Sequence, residues 1–142
     1  MKRLCLGLMT VWLLGACAQG HVTSASKSGN AALQGHWRLM QLDGHSISMV
    51  DGNVKAFEFD AAQLKFSANV GCNRLFGLYA QEGSALRFNA VASTERACDP
   101  LSTQLERQVM QGMQRVQIWQ ISGDQLQLLD ESKHPVLKLK RM

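Results

Sequence analysis

The sequence predicts an α+β domain in which a curved, mostly antiparallel β-sheet (a partial barrel) packs against one α-helix. Three observations carry this. From Gly35 onward, apolar residues alternate with polar ones in short runs. Residues suited to tight turns separate the runs. Late in the chain, from Pro100, the spacing changes to that of a helix.

The elements follow in order. In "HWRLMQL", Trp37 and Leu39 share a face. Phe57 and Phe59 do so in "VKAFEFD". "QLKFSANV" places Leu64, Phe66, Ala68 and Val70 on one side and Lys65, Ser67 and Asn69 on the other, which is the pattern of a half-buried strand. If that alternation continues through Gly71, Cys72 points inward, Asn73 points outward, and Arg74 swings into a turn with Gly71 and Gly77. Gln81–Ser84 suits a hairpin turn before a strand with Leu86 and Phe88 inward. "PLSTQLERQVMQGMQRV" spaces Leu101, Leu105, Val109 and Met113 four apart, one face of a helix. Asp99 is a good N-cap, Pro100 suits the first helical position, and Gly112 weakens the last turn. Ser122–Gln125 reads as a second hairpin, with Leu126 and Leu128 beyond it. "SKHP" breaks the chain before the alternating Leu137 and Leu139.

The N-terminus reads as an address. Lys2 and Arg3 precede the apolar run Leu4–Leu14, which is shorter than the roughly twenty residues of a membrane-spanning helix. "LGAC" then ends at Cys17. This layout is that of a signal peptide, and the small residues before the cysteine resemble the bacterial lipoprotein signal. The expected organisation is a signal peptide over 1–16, a lipidated flexible tether over 17–33 and a globular domain over 34–142. Lipid on Cys17 would hold the protein to the membrane. In the lipoprotein sorting pattern, Ala18 rather than aspartate after the cysteine favours the outer membrane, periplasmic face. The Ser-, Ala- and Gly-rich stretch after Cys17 has too few large apolar residues to bury a core.

Cleavage before Cys17 leaves 126 of 142 residues, one domain's worth of chain. The 15 basic residues lose Lys2 and Arg3, leaving 13 against 11 acidic ones. That balance gives no case for nucleic acid. Of four cysteines, Cys5 leaves with the signal and Cys17 takes lipid. Cys72 and Cys98 remain, an even pair in an oxidising compartment, where a disulfide is expected. A metal site and a thiol nucleophile are the alternatives. No C-x-x-C pair accompanies them, and His21, His36, His45 and His134 are scattered.

The order of motifs then resembles a known family. Trp37-Arg38-Leu39 opens the domain, "GCNRLFGLY" runs from Gly71 to Tyr79, and "TERACDP" runs from Thr94 to Pro100. Leu105-Glu106, Trp119 and "DQLQLLD" follow. This resembles the META domain, and within it the heat-shock lipoprotein HslJ group, over about Gln34–Met142. The resemblance implies a small envelope domain with a curved antiparallel sheet on a helix. It also implies Cys72 and Cys98 as a matched pair, links to heat shock and to tolerance of novobiocin-type antibiotics, and no assigned catalysis or cofactor.

The residues agree in favouring a non-enzyme. The motifs G-x-S-x-G, H-E-x-x-H and G-x-x-x-x-G-K-[ST] are missing from the sequence. Asn73 and Arg74 are candidates for binding a carboxylate or phosphate. Equally, Asn73 caps a turn and Arg74 bonds loop carbonyls. Two functions stand side by side. One is a protein-interaction or chaperone-like module acting in envelope stress or antibiotic tolerance. The other is a carrier holding a lipid or other apolar ligand between sheet and helix, with Met40, Met110 and Met113 lining an adaptable cavity. A cavity well above about 300 Å3 would favour the carrier, and a filled interior with an exposed apolar patch the interaction module. Nothing argues for more than a monomer.

Overall fold

The computed structural model describes residues 31–48 and 54–142. The signal peptide, Cys17 and most of the tether lie outside the described residues. The elements are β1 (Gly35–Leu42), β2 (His45–Ser46), β3 (Ala56–Asp60), β4 (Lys65–Asn69), β5 (Arg74–Glu82), β6 (Ala85–Ser93), α1 (Pro100–Arg115), β7 (Ile118–Ser122), β8 (Gln125–Leu129) and β9 (Pro135–Arg141). The nine strands form one antiparallel sheet in the order β2-β1-β3-β4-β5-β6-β7-β8-β9, and β1 also pairs with β9. The sheet therefore curls into a ring, further closed than the partial barrel expected from sequence. Its weak seam lies between β6 and β7, which share a single register pair, Ala85 with Ile118. Helix α1 joins these two strands in the chain.

Alternation dictates what fills the ring. Trp37, Phe57, Phe59, Leu75, Tyr79, Leu86, Leu126, Leu128, Leu137 and Leu139 are all buried in one cluster. Phe59 meets Tyr79 edge-on at 5.4 Å, and Phe66 meets Phe88 at 4.8 Å, the geometry aromatic rings prefer. Gly83 and Gly123, at φ +55° and +59°, make the two expected hairpin turns, where a side chain would be strained.

One pole of the ring is closed by the incoming chain. Leu33 is fully buried, and its carbonyl accepts a hydrogen bond from Trp37 Nε1 at 2.8 Å. Arg141 donates to the carbonyls of Ala32 and Gln34 and stacks over Trp37. Packing thus begins one residue before the expected boundary at Gln34.

Helix α1 closes the opposite pole. Asp99 caps it, accepting from Ser102 N at 2.9 Å. Hydrogen bonding from Ser102 holds the Asp99 carboxyl below the usual aspartate range. The cap's stabilisation is therefore complete above the ordinary aspartate value and fades as pH falls through the lowered one. The helix passes through Gly112 without ending. A Cβ there would stand 3.1 Å from Val136 and 3.2 Å from Leu42, so glycine lets the helix lie close on β9 and β1.

Three expectations change. Leu101, counted in the buried stripe, is 78% exposed. Residues four apart advance by about 40° beyond a full turn, so Leu101 lies roughly 80° from Val109. The buried face is instead Glu106, Val109, Gly112 and Met113. Leu64 sits in a turn at φ +53°, not in β4, because Asp60 Oδ1 accepts from Ala62 N and Gln63 N. Met40, offered for an inner cavity, is 42% exposed on the outer side of β1.

Candidate functional site

The stretch between β4 and β5 carries most of the polar chemistry. The alternation does not run through Gly71. The chain bends over residues 70–73, and Arg74 opens β5. Asn73, expected to point outward, is buried at 9% exposure. Its backbone N–H donates to Glu106 Oε1, and Nδ2 donates to Glu106 Oε2 at 3.0 Å. Its Oδ1 accepts from Thr94 Oγ1 at 3.2 Å and from Arg96 N at 2.9 Å. Asn73 thus ties three segments together, and its hydrogen-bonding capacity is taken up inside the protein.

The paired thiols reinforce the same junction. Cys72 and Cys98 form a disulfide with Cα atoms 5.9 Å apart, inside the range that the bond requires. It fastens the β4–β5 bend to the residue before the helix cap. Gly71 permits the contact: a Cβ there would fall 2.6 Å from the Ser102 carbonyl oxygen and 2.7 Å from Glu106. Glycine, cysteine, asparagine and the buried glutamate work as one clamp on the helix start. Among the described residues no group of three or more His, Cys, Asp or Glu is placed to hold a metal.

Arg74 departs from its neighbour. It is exposed, and its backbone pairs with Thr94 in place of the expected turn with Gly71 and Gly77. Its side chain lines a groove of about 680 Å3 on the outer face of β3, β4 and β5. Phe76 and Leu78, 43% and 46% exposed, form the apolar centre, and Glu58, Asp60 and Lys65 complete the rim. Gly77 between them faces the other way, where a Cβ would stand 2.7 Å from the Ala90 carbonyl oxygen. The register between β5 and β6 shifts at this place.

Sequence reasoning missed this groove. The signal was there: "LFGLY" lacks the polar alternate that an outward face normally supplies. Phe76 and Leu78 therefore had to face out if Leu75 and Tyr79 faced in. Between helix and sheet, the middle of α1 packs closely on the ring, while a cleft of about 560 Å3 opens beside it between Gln108, Gln111 and Arg115 of the helix and Leu42, Asp43, His45 and Ile47 of the β1–β2 hairpin. Val109 and Met113 are buried, and Gly71 and Gly112 bring the helix against the ring.

Known proteins place the fold. The profile of the META domain matches residues 31–142. A protein from Burkholderia xenovorans, solved by NMR, is 24% identical with a TM-score of 0.63, covering 80% of this chain and 86% of its own. A second NMR structure is 21% identical with a TM-score of 0.62, covering 78% and 92%. A crystal structure of a DUF4847 family protein from Bacteroides vulgatus is 13% identical with a TM-score of 0.56, covering 78% and 94%. No curated protein matches the sequence. At these identities the solved structures speak to fold alone.

Proposed function

The chain belongs to the META domain family, and from that premise we propose that it is a non-enzymatic, HslJ-like lipoprotein of the bacterial outer membrane. It acts on the periplasmic face, in envelope stress or antibiotic tolerance, as a protein-interaction module. The observation that carries the binding role is the pair Phe76 and Leu78. They stand side by side, half exposed, in a groove on an otherwise polar sheet face. Exposed apolar area of this kind marks a docking surface more often than scattered single residues do. The cleft between helix and the β1–β2 hairpin is lined mostly by polar and charged side chains, Asp43, His45, Gln108, Gln111 and Arg115, which supports this reading over the apolar-ligand carrier.

A photo-cross-linking residue at Phe76, introduced in cells, tests it. Adducts with one envelope protein are expected from Phe76 and Leu78 and not from Gln120 on β7. Equal labelling at all three positions, or none, would remove the interaction reading.

The address is tested separately. Cys17→Ser is expected to abolish incorporation of labelled palmitate and to release the protein from the outer-membrane fraction. Palmitate retained by the Cys17→Ser protein would overturn lipid attachment at this residue.

A further inference from the structure

The outward face of β3, β4 and β5 can be read row by row from the strand register. In the first row Arg74 lies opposite Asn69, and Asn69 opposite Ala56. In the second, Phe76 lies opposite Ser67, and Ser67 opposite Glu58. In the third, Leu78 lies opposite Lys65, and Lys65 opposite Asp60. Charge is therefore unevenly placed along the groove. In the third row a base and an acid face each other and offset. Lys65 Nζ is also held by Gln63 at 2.7 Å, and Asp60 by the turn after β3. Glu58, at the β3 margin of the second row, accepts from Ser67. The first row has a cation and no acid.

Arg74, at one end, and Glu58, at the β3 margin of the middle row, are thus the two groove charges with no opposite charge facing them in the register. Among the described residues, no hydrogen bond or ion pair engages the Arg74 guanidinium. The same row continues across β3 to Arg38 on β1, which pairs with Ala56, and ends on β9 at Lys140, which is itself ion-paired with Asp124 at 3.3 Å. Arg38 Nε is itself buried with no partner among the described residues. One end of the groove is consequently positive, while its centre is apolar.

We propose that the groove accepts an extended peptide segment of a partner protein carrying an acidic residue followed, or preceded, by two apolar residues at alternate positions. The spacing follows from β5. Arg74, Phe76 and Leu78 are two residues apart, so their side chains project at intervals of about 6.8 Å. An extended partner strand presents every second side chain at the same interval. Its carboxylate meets Arg74, and its two apolar side chains cover Phe76 and Leu78. The opposite polarity would place the carboxylate in the row of Asp60, where a like charge already stands. An open groove with a solvated rim suits a peptide, whose backbone can keep its water, better than an acyl chain. This inference rests on the interaction role proposed above and specifies what that surface recognises.

The test is an NMR titration of the mature chain with a capped peptide of pattern Asp-Ser-Leu-Ser-Leu. Shifts are expected at Glu58, Ser67, Arg74, Phe76 and Leu78 and not around β7 and β8. Replacing the peptide's Asp by Asn should weaken binding about two- to fivefold at low salt, the scale of an exposed ion pair. That difference should vanish in Arg74→Gln. Phe76→Ser should weaken binding about tenfold or more, because a large apolar contact is lost. Both side chains are exposed, and an unchanged spectrum of the unbound variants shows that they fold. A peptide with the two leucines adjacent should bind more weakly than the alternating one. The proposal is overturned if the groove does not respond at millimolar peptide. It is equally overturned if the Asn and adjacent-leucine peptides bind as well as the first. If cross-linking from Phe76 still captures a single partner in that event, the interaction role stands and only the peptide chemistry falls.

Discussion

Replacing Cys72 and Cys98 together by alanine is expected to lower the free energy of unfolding by about 3.5 kcal/mol and to leave the fold recognisable. The figure is the chain-entropy value for the 26-residue separation that the bond closes. The native state should survive because the helix start has other holds: the Asp99 cap and the hydrogen bonds between Asn73 and Glu106. Urea unfolding of the oxidised and the double-alanine proteins measures it. Removing the cross-link also lets the unfolded chain expand, so the dependence on urea should steepen. A loss under about 1 kcal/mol, with an unchanged slope, would mean that the bond constrains little in the unfolded state.

Asn73→Leu is expected to cost about 3 kcal/mol. The change removes the amide that donates to Glu106 Oε2 and the carbonyl that accepts from Thr94 and Arg96. Glu106 is 5% exposed, so its carboxylate would be left with part of its hydrogen bonding unmet and little water to replace it. The sign of the effect can be checked against a second change. Asn73→Leu combined with Glu106→Gln should be more stable than Asn73→Leu alone, because the amide oxygen still accepts from the backbone N–H of residue 73 while no buried charge is left under-bonded. Thermal unfolding reads both, with about 4 to 8 °C per kcal/mol for a domain near this size. If Glu106→Gln destabilised the Asn73→Leu protein further, the stranded carboxylate would not be the source of the loss.

Much of this architecture is visible in the residues, and the exceptions have physical causes. Period-two runs gave the correct inward faces at Phe57, Phe59, Phe66, Ala68, Leu86, Leu126, Leu137 and Leu139. Such a signal is local, and burial on one side enforces it. The cysteine pair was also legible, since the count left no other partner. Asn73 was not. Its orientation depends on Glu106, a residue 33 positions later, and a glutamate in a helix sequence normally reads as solvent-facing. Closure of the ring through β1 and β9 was hidden for the same reason, because these strands lie at opposite ends of the domain's sequence. The groove was missed because the alternation was followed only to the turn placed at Gly71–Gly77, which left Phe76 and Leu78 without an assigned face.

The buried entry at Leu33 bears on how the domain would carry load. If the chain is tethered at Cys17, any tension between membrane and bound partner reaches the fold through Leu33 and then β1. That strand is hydrogen-bonded to β3 along one edge and to β9 along the other. A pull along its axis shears both ladders at once, so many bonds must fail together and none can be peeled off singly. The β3–β5 groove, where a partner would pull back, lies on the neighbouring strands of the same sheet. Force would therefore pass from partner to tether across β3 and β1, and the thin β6–β7 seam would stay outside its path.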